Sequence, residues 1–237
     1  MTGSNEPLFN PSPRIQQIPL IAGHSCWVID DALAAPERMR DWALEQSYAP
    51  LRGIPYPGVC ADLPATVTAG LSDFIETHLR ARLGAERTTG AAGRASLVTT
   101  PPAQLAPCQW ICHRDRVSDS RSIMLAASVL YLFHDESLGG TSFYRPRLSD
   151  EQTAHLIIDS MRLDPQTFSQ RYGIEPSYMV GTNRYFEQIA SVPAAWNRLI
   201  VYNGGLFHSG DIRHPERLST DPAKGRLSLN GFFTCEW

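Results

Sequence analysis

The segment QWICHRDRVS, Gln109 to Ser118, sets a histidine and an aspartate two residues apart, His113 and Asp115, after a short apolar run. Three kinds of chemistry are compatible with such a pair. A kinase-type catalytic loop fails on context. It needs a metal-binding Asn five residues after the Asp, where Ser120 stands, and the chain has neither a Gly-rich phosphate loop nor Asp-Phe-Gly. Two ordinary surface charges are the bland reading, and a lone His-x-Asp is a weak motif. The third reading is a pair of metal ligands. On an extended strand residues i and i+2 share a face, so His113 and Asp115 can converge on one point if the strand runs to 115.

A third ligand is available in YNGGLFHSGDI, where His208 follows a strand-like segment and a Gly-Gly turn. Two histidines and one carboxylate with open coordination positions are the facial-triad pattern of non-haem Fe(II) oxygenases. A further residue fits the same chemistry. Arg226 begins GRLSLNGFF, in which Arg226, Ser228 and Asn230 share one strand face and Leu227 and Leu229 the other. An Arg followed two residues later by a hydroxyl suits a carboxylate, through a bidentate fork and one more donor. The competing reading of Arg226 is an ordinary ion pair at a strand end. His134 and His214 lie in polar segments and are fallback ligands. Cys108 and Cys112 stand near His113, but no second cysteine pair completes a zinc site, so they read as core residues.

The elements that must position these residues are legible in outline. After a 14-residue arm containing three prolines, RIQQIPLIAGHSCWVID reads as one or two strands with a Gly turn. PERMRDWALEQ reads as a helix with Met39, Trp42 and Ala43 on one face. A second helix carries Leu71, Phe74, Ile75, His78 and Leu79 at helical spacing, with His78 a core histidine. From about residue 96 the character changes to strand-like segments separated by Gly, Pro, Asp and Asn: ASLVTT, CQWICH, SIMLAASVLYLF, GTSFYR, YFEQIASV, NRLIVYN and GRLSLNGFFTC. A helical insertion at about 147–183 interrupts them. It starts with a capping box, Ser149 and Gln152, and continues with Ala154, Ile157, Ile158 and Met161 as its apolar stripe. Many short strands without βαβ alternation argue for a sandwich or jelly roll. The reading is one domain over 1–237: arm 1–14, helical and strand support 15–95, β-rich core 96–237.

Composition bounds the function. Hydrophobic residues at 43% and charged residues at 19% mark a globular chain, and a net charge of −3 gives no field for nucleic acid or an anionic membrane. No segment has the layout of a signal peptide or the apolar length of a membrane span. Five cysteines without framework spacing suit a reduced, cytoplasmic protein.

Taken in order, His-x-Asp, VLYL, Gly-Gly-Thr, a late His and Arg-x-Ser in the last strand resemble the 2-oxoglutarate/Fe(II)-dependent dioxygenase superfamily, nearest its prolyl-hydroxylase-like branch, over roughly residues 96–237. The resemblance implies a mainly β protein with flanking helices, a double-stranded β-helix of the jelly-roll or cupin-like barrel type. It implies Fe(II) on His113, Asp115 and His208, with 2-oxoglutarate as co-substrate and O2 as oxidant. Arg226 would bind the far carboxylate, Ser228 would assist, and Tyr131 in VLYLF would add a hydrogen bond, whereas from its residue type alone Tyr131 reads as a core aromatic with a satisfied hydroxyl. The chain departs from prolyl hydroxylases in having Arg where they typically have Lys, and in its long insertion. A carboxylate at 115 points to hydroxylation rather than halogenation. The substrate would be a small molecule or an amino-acid or peptidyl residue. Trp110, Arg114, Arg116, Tyr144 and Arg145 flank the site as substrate contacts or as packing. Two other classes stay open: a metal enzyme on a cupin-like barrel without 2-oxoglutarate, and a non-catalytic binding module.

Overall fold

The computed structural model describes residues 7–53, 55–115, 120 and 122–236. A hairpin, β1 (Ile15–Pro19) and β2 (Ser25–Ile29), precedes helix α1 (Pro36–Leu44). Strand β3 (Gly58–Asp62), helices α2 (Ala65–His78) and α3 (Arg80–Leu83), and the long strand β4 (Arg87–Val98) follow. The second half runs β5 (Ile123–Tyr131), β6 (Thr141–Pro146), α4 (Asp150–Arg162), α5 (Pro165–Tyr172), β7 (Phe186–Val192), β8 (Leu199–Asn203), β9 (Phe207–Gly210) and β10 (Arg226–Glu236).

The strands form a seven-stranded sheet, ordered β1-β2-β8-β5-β10-β4-β3, and a three-stranded sheet, ordered β7-β6-β9. All pairings are antiparallel. From β5 onward the chain passes from the large sheet to the small one, back, across and back again. This winding is that of a jelly roll, the double-stranded β-helix, in a mainly β fold with flanking helices.

Strand alternation sorts the chemistry from the core. On β10, Leu227, Leu229, Phe233 and Cys235 join the cluster formed with Leu71, Phe74 and Ile75 of α2. The alternate residues Arg226, Asn230 and Phe232 line a cavity between the sheets. Each fully buried aliphatic or aromatic side chain contributes roughly 1.5–3 kcal/mol relative to exposure, so a one-residue slip of β10 would lose several of these and turn Arg226 into the core.

Several expectations change. CQWICH is not a strand: Pro107–Gln109 is a 3-10 turn, and Trp110 is buried with its indole N–H donating to the Leu105 carbonyl at 2.9 Å. The arm is not loose throughout, because Phe9 is buried, bridges Leu33 and lies 5.1 Å from the Phe74 ring. β4 begins well before residue 95, at Arg87, and β3 and β9 carry no strong strand signal. The capping box of Ser149 and Gln152 forms as expected. The helix it starts, however, buries Thr153, Leu156 and Ser160, while Ile158 and Met161 stay 42% and 69% exposed. Among the described residues no helix is long and apolar enough to cross a membrane.

Candidate metal and carboxylate site

Two backbone contacts hold His113 and Asp115 where a regular strand was expected to. His113 and His208 exchange N–H···O bonds of 3.0 and 2.8 Å, an isolated bridge that extends the small sheet past β9. Asp115 then donates its amide to the Gly204 carbonyl at 2.8 Å, and Gly204 donates to Leu125 of β5 at 2.8 Å. The segment is thereby tied to both sheets at alternate residues. Gly204 has no room for a side chain: a Cβ there would lie 2.7 Å from Asp115 Oδ2.

The three side chains converge. Each offers a ligand atom, and these atoms lie within 4.8 Å of one another. Asp115 Oδ2 is 3.6 Å from His208 Nε2, and Oδ1 is 4.0 Å from His113 Nε2. The imidazole rings are 4.5 Å apart. His208 Nδ1 lies 2.8 Å from the Leu206 carbonyl. As donor to that oxygen, Nδ1 carries the proton and leaves a lone pair on Nε2, the orientation a metal ligand needs.

The electrostatics are those of a site built for a cation. Burial pushes the His208 pKa down to about 4. Burial and then the neighbouring His208 push His113 down to about 4 as well, although its side chain is 57% exposed, so the depression is firmer for His208 than for His113. Both rings are therefore neutral near pH 7. Burial raises the Asp115 pKa, and its Oδ2 is buried without a hydrogen-bond partner. Two neutral imidazoles around an unsatisfied carboxylate fit a dication, which would satisfy that oxygen and lower its pKa again.

Arg226 is buried in the same cavity wall. Its Nε and Nη2 donate to the carbonyls of Gly139 and Gly140 at 3.0 and 2.8 Å, and it lies 5.7 and 5.9 Å from the rings of Tyr131 and Phe133. Among the described residues no carboxylate pairs with it. The Gly-Gly turn is tight, for a Cβ on Gly140 would meet the Val192 carbonyl at 1.9 Å. A buried cation held only by dipoles is costly, and an incoming anion would offset that cost.

The helpers expected for Arg226 are arranged differently. Ser228 is buried and its hydroxyl donates to Asn230 Oδ1 at 3.0 Å. Tyr131 is buried with its hydroxyl 2.8 Å from Thr141 Oγ1. It is Thr141 that lines the cavity, backed by Tyr131. Trp110 and Tyr144 are core residues, and Arg145 pairs with Glu187 at 2.8 Å. Arg114 lines the cavity with its guanidinium 4.6 Å from the Phe207 ring. Arg116 lies outside the described residues. His134 stacks on Trp196 at 4.2 Å and His214 pairs with Glu216 at 3.1 Å, so neither joins the cluster. Cys112 is buried and Cys108 half-buried, and both line the cavity.

The cavity has a volume of about 780 Å³. Sequence reasoning missed Arg94 of β4, Thr141 and the ring of Phe232 on its walls. Period-2 alternation through Arg94, Ser96 and Val98 is the signal that places Arg94 on the cavity face.

A family model described as a family of unknown function, DUF6445, matches residues 11–233. Among curated proteins none matches this chain in sequence. Solved structures similar to it include HygX from Streptomyces hygroscopicus with nickel and 2-oxoglutarate bound, at 9% identity and TM-score 0.45, covering 89% of this chain and 82% of that one. The non-heme alpha ketoglutarate dependent epimerase SnoN from nogalamycin biosynthesis is 11% identical with TM-score 0.46, covering 89% and 78%. An N-substituted L-amino acid dioxygenase from Burkholderia ambifaria AMMD is 12% identical with TM-score 0.36, covering 88% and 81%.

Proposed function

We propose that this chain, which belongs to the DUF6445 family, is a 2-oxoglutarate- and Fe(II)-dependent oxygenase that hydroxylates an unactivated C–H bond. One observation carries the reading: an unsatisfied two-His, one-carboxylate cluster and a buried, unpaired Arg226 line the same cavity. The first is short of a cation and the second of an anion. A metal chelated by a dicarboxylate keto acid supplies both. The order of motifs along the chain supports the prolyl-hydroxylase-like branch as the nearest one.

In this reading His113, Asp115 and His208 would hold the iron. When bound, Fe(II), 2-oxoglutarate and O2 supply oxidative decarboxylation to succinate and CO2 coupled to C–H oxidation. The chain supplies the rest. Arg226, kept in place by the Gly139 and Gly140 carbonyls, takes the far carboxylate of the keto acid. Thr141, oriented by Tyr131, adds a donor beside it. Ser228 donates to Asn230 Oδ1 and orients that side chain rather than the keto acid. The apolar walls, among them Leu125, Ala127 and Tyr202, exclude water from the reacting groups.

The test is direct. Purified protein with Fe(II), ascorbate and 2-oxoglutarate is assayed for succinate, and calorimetry follows 2-oxoglutarate binding to the Zn(II)-loaded protein. Succinate formation that Asp115→Ala abolishes supports the reading. Metal binding without 2-oxoglutarate binding would instead identify a metal enzyme of another kind, and binding of neither a non-catalytic module.

A further inference from the structure

Arg94 is a second cation in the same cavity, and the proposed chemistry does not use it. It stands on β4 opposite Asn230 of β10, while Arg226 stands opposite Val98. Opposed residues of antiparallel strands share a face, so Arg94, Asn230 and Arg226 all look into the cavity. Four strand residues separate the two arginine rows, a span of about 13 Å.

Three observations define what Arg94 lacks. Its guanidinium lies 4.7 Å from the Phe232 ring and 5.8 Å from the Tyr56 ring, yet its Nε is buried without a hydrogen-bond partner. Asp62, its cross-strand neighbour on β3, is exposed and makes no ion pair with it. Asp115 is the one carboxylate among the described residues that line the cavity. Next to Arg94, the Ser228 hydroxyl occupies Asn230 Oδ1 and leaves the amide NH2 of Asn230 as a donor.

Formal charge sharpens the point. On the reading proposed above, a metal dication, Asp115, Arg226 and the 2-oxoglutarate dianion neutralise one another. The half-buried Arg94 and the exposed Arg114 then have no carboxylate left to them among the described lining residues. A cavity of about 780 Å³ also accommodates a drug-sized molecule, more than a five-carbon keto acid fills. Tyr56 and Phe232 give the cavity aromatic wall beside Arg94, and Ala92, Ile157 and Met161 are further apolar lining.

We propose that the substrate is a carboxylic acid with an apolar body, and that Arg94 with the Asn230 amide grips its carboxylate while Tyr56 and Phe232 cover the body. This rests on the oxygenase reading and assigns the substrate class to it. The planar fork of Arg94 and the flanking amide match a planar carboxylate, and the nearby rings of Tyr56 and Phe232 favour an aromatic or alicyclic body. Arg94 is the specificity residue, and a neutral analogue of the same shape leaves it unpaired.

The test uses a pair of probes that differ only in charge, 3-phenylpropionate and 3-phenylpropanamide, on full-length protein loaded with Zn(II) and saturated with 2-oxoglutarate. Calorimetry or ligand-observed NMR is expected to give about ten- to a hundredfold tighter binding of the acid, the value of one charge-assisted pairing. Arg94→Gln should collapse that ratio, and Arg94→Lys should restore part of it. In the same variants 2-oxoglutarate affinity, read separately, should move much less than the acid-to-amide ratio, because its far carboxylate is held about 13 Å along the strands, at Arg226. Equal binding of acid and amide overturns the proposal, as does absence of both at about 5 mM, where a fragment with one charged contact still binds. An acid preference that survives Arg94→Gln overturns it too and assigns the charge to Arg114. A protein that fails to bind Zn(II) or 2-oxoglutarate in the loading step instead defeats the oxygenase reading, and the two failures are thereby distinguished.

Discussion

Removing the Arg226 guanidinium is the sharpest perturbation of the proposed co-substrate site. In the structure this group is buried, donates to the Gly139 and Gly140 carbonyls at 3.0 and 2.8 Å, and has no carboxylate partner among the described residues. Two effects follow from Arg226→Ala. The incoming far carboxylate of 2-oxoglutarate loses its buried counter-ion, which costs about 2–5 kcal/mol, or roughly 30- to several thousand-fold in affinity. The folded protein meanwhile loses two charge–dipole bonds and an unpaired buried charge, terms of opposite sign, so its stability should change by less than about 2 kcal/mol. Arg226→Lys should recover part of the affinity, since a point charge keeps the attraction and loses the fork. Calorimetric titration of Zn(II)-loaded wild-type and variant proteins with 2-oxoglutarate reads the first effect, and a Zn(II) titration reads metal affinity. Normal 2-oxoglutarate binding by Arg226→Ala would falsify the assignment. Arg213 and Arg217, held by Asp211 and Asp135, are then the next residues to test. Loss of metal together with 2-oxoglutarate would instead make Arg226 a structural residue.

Four further outcomes are expected. Asp115→Ala should abolish succinate formation and weaken Zn(II) binding while the far-ultraviolet circular dichroism stays unchanged, because the carboxylate holds neither sheet together; unfolding of the variant contradicts this. Gly204→Ala places a Cβ 2.7 Å from Asp115 Oδ2 and 3.1 Å from the Leu125 carbonyl, so metal affinity should fall by about 10- to 100-fold, as for other groups that position a ligand, and a wild-type Zn(II) titration would refute it. The metal-free protein should lose stability as pH falls from 6.5 toward about 4: the unfolded histidines take up protons in that window, whereas His113 and His208 stay neutral when folded. His208→Gln should flatten that slope in urea titrations, and an unchanged slope rejects the cause. Hydrogen exchange should show α4 and α5 opening more readily than β5 and β10 and gaining protection when metal and 2-oxoglutarate are added, because Ile157, Ser160 and Met161 form the cavity rim; protection equal to the core strands in both states opposes this.

Legibility followed the kind of force at work. β5, β8 and β10 were readable because one face of each packs on the helices or between the sheets, which writes a period-2 pattern or an apolar run into the sequence. CQWICH has the same apolar look for a different reason. Trp110 and Ile111 are buried by contact with the insertion, and the Cys112 amide points to Met179 Sδ at 2.9 Å rather than into a ladder. Burial alone does not distinguish a strand from a packed loop. The N-terminal half of β4, RTTGAAGR, was missed because its Gly and Ala residues carry little strand propensity. It is held by pairing with β10 along its length, a non-local contact that a local pattern cannot report.

The candidate site was legible for a related reason, and only in part. Types and spacing pointed to His113, Asp115, His208 and Arg226 because each of these chemistries needs a particular side chain, and the structure brings the first three to one point. What spacing could not give is which groups are already satisfied. Ser228 and Tyr131 share strand faces with the site, yet their hydroxyls are bound to Asn230 and Thr141. Asp115 Oδ2 and Arg94 Nε, by contrast, are buried and bonded to nothing, and Arg226 is buried with carbonyl partners alone. Folding proteins rarely tolerate such groups, since each costs more than a satisfied one recovers. Three of the seven buried, unpartnered side-chain atoms among the described residues, Asp115 Oδ2, Arg94 Nε and Ser128 Oγ, lie on this cavity, where the rows of the two arginines are about 13 Å apart, and that concentration supports recovery of the cost on binding. On the proposed reading these groups ask for ligands by complement: a cation at Asp115, one carboxylate at Arg226 and another at Arg94.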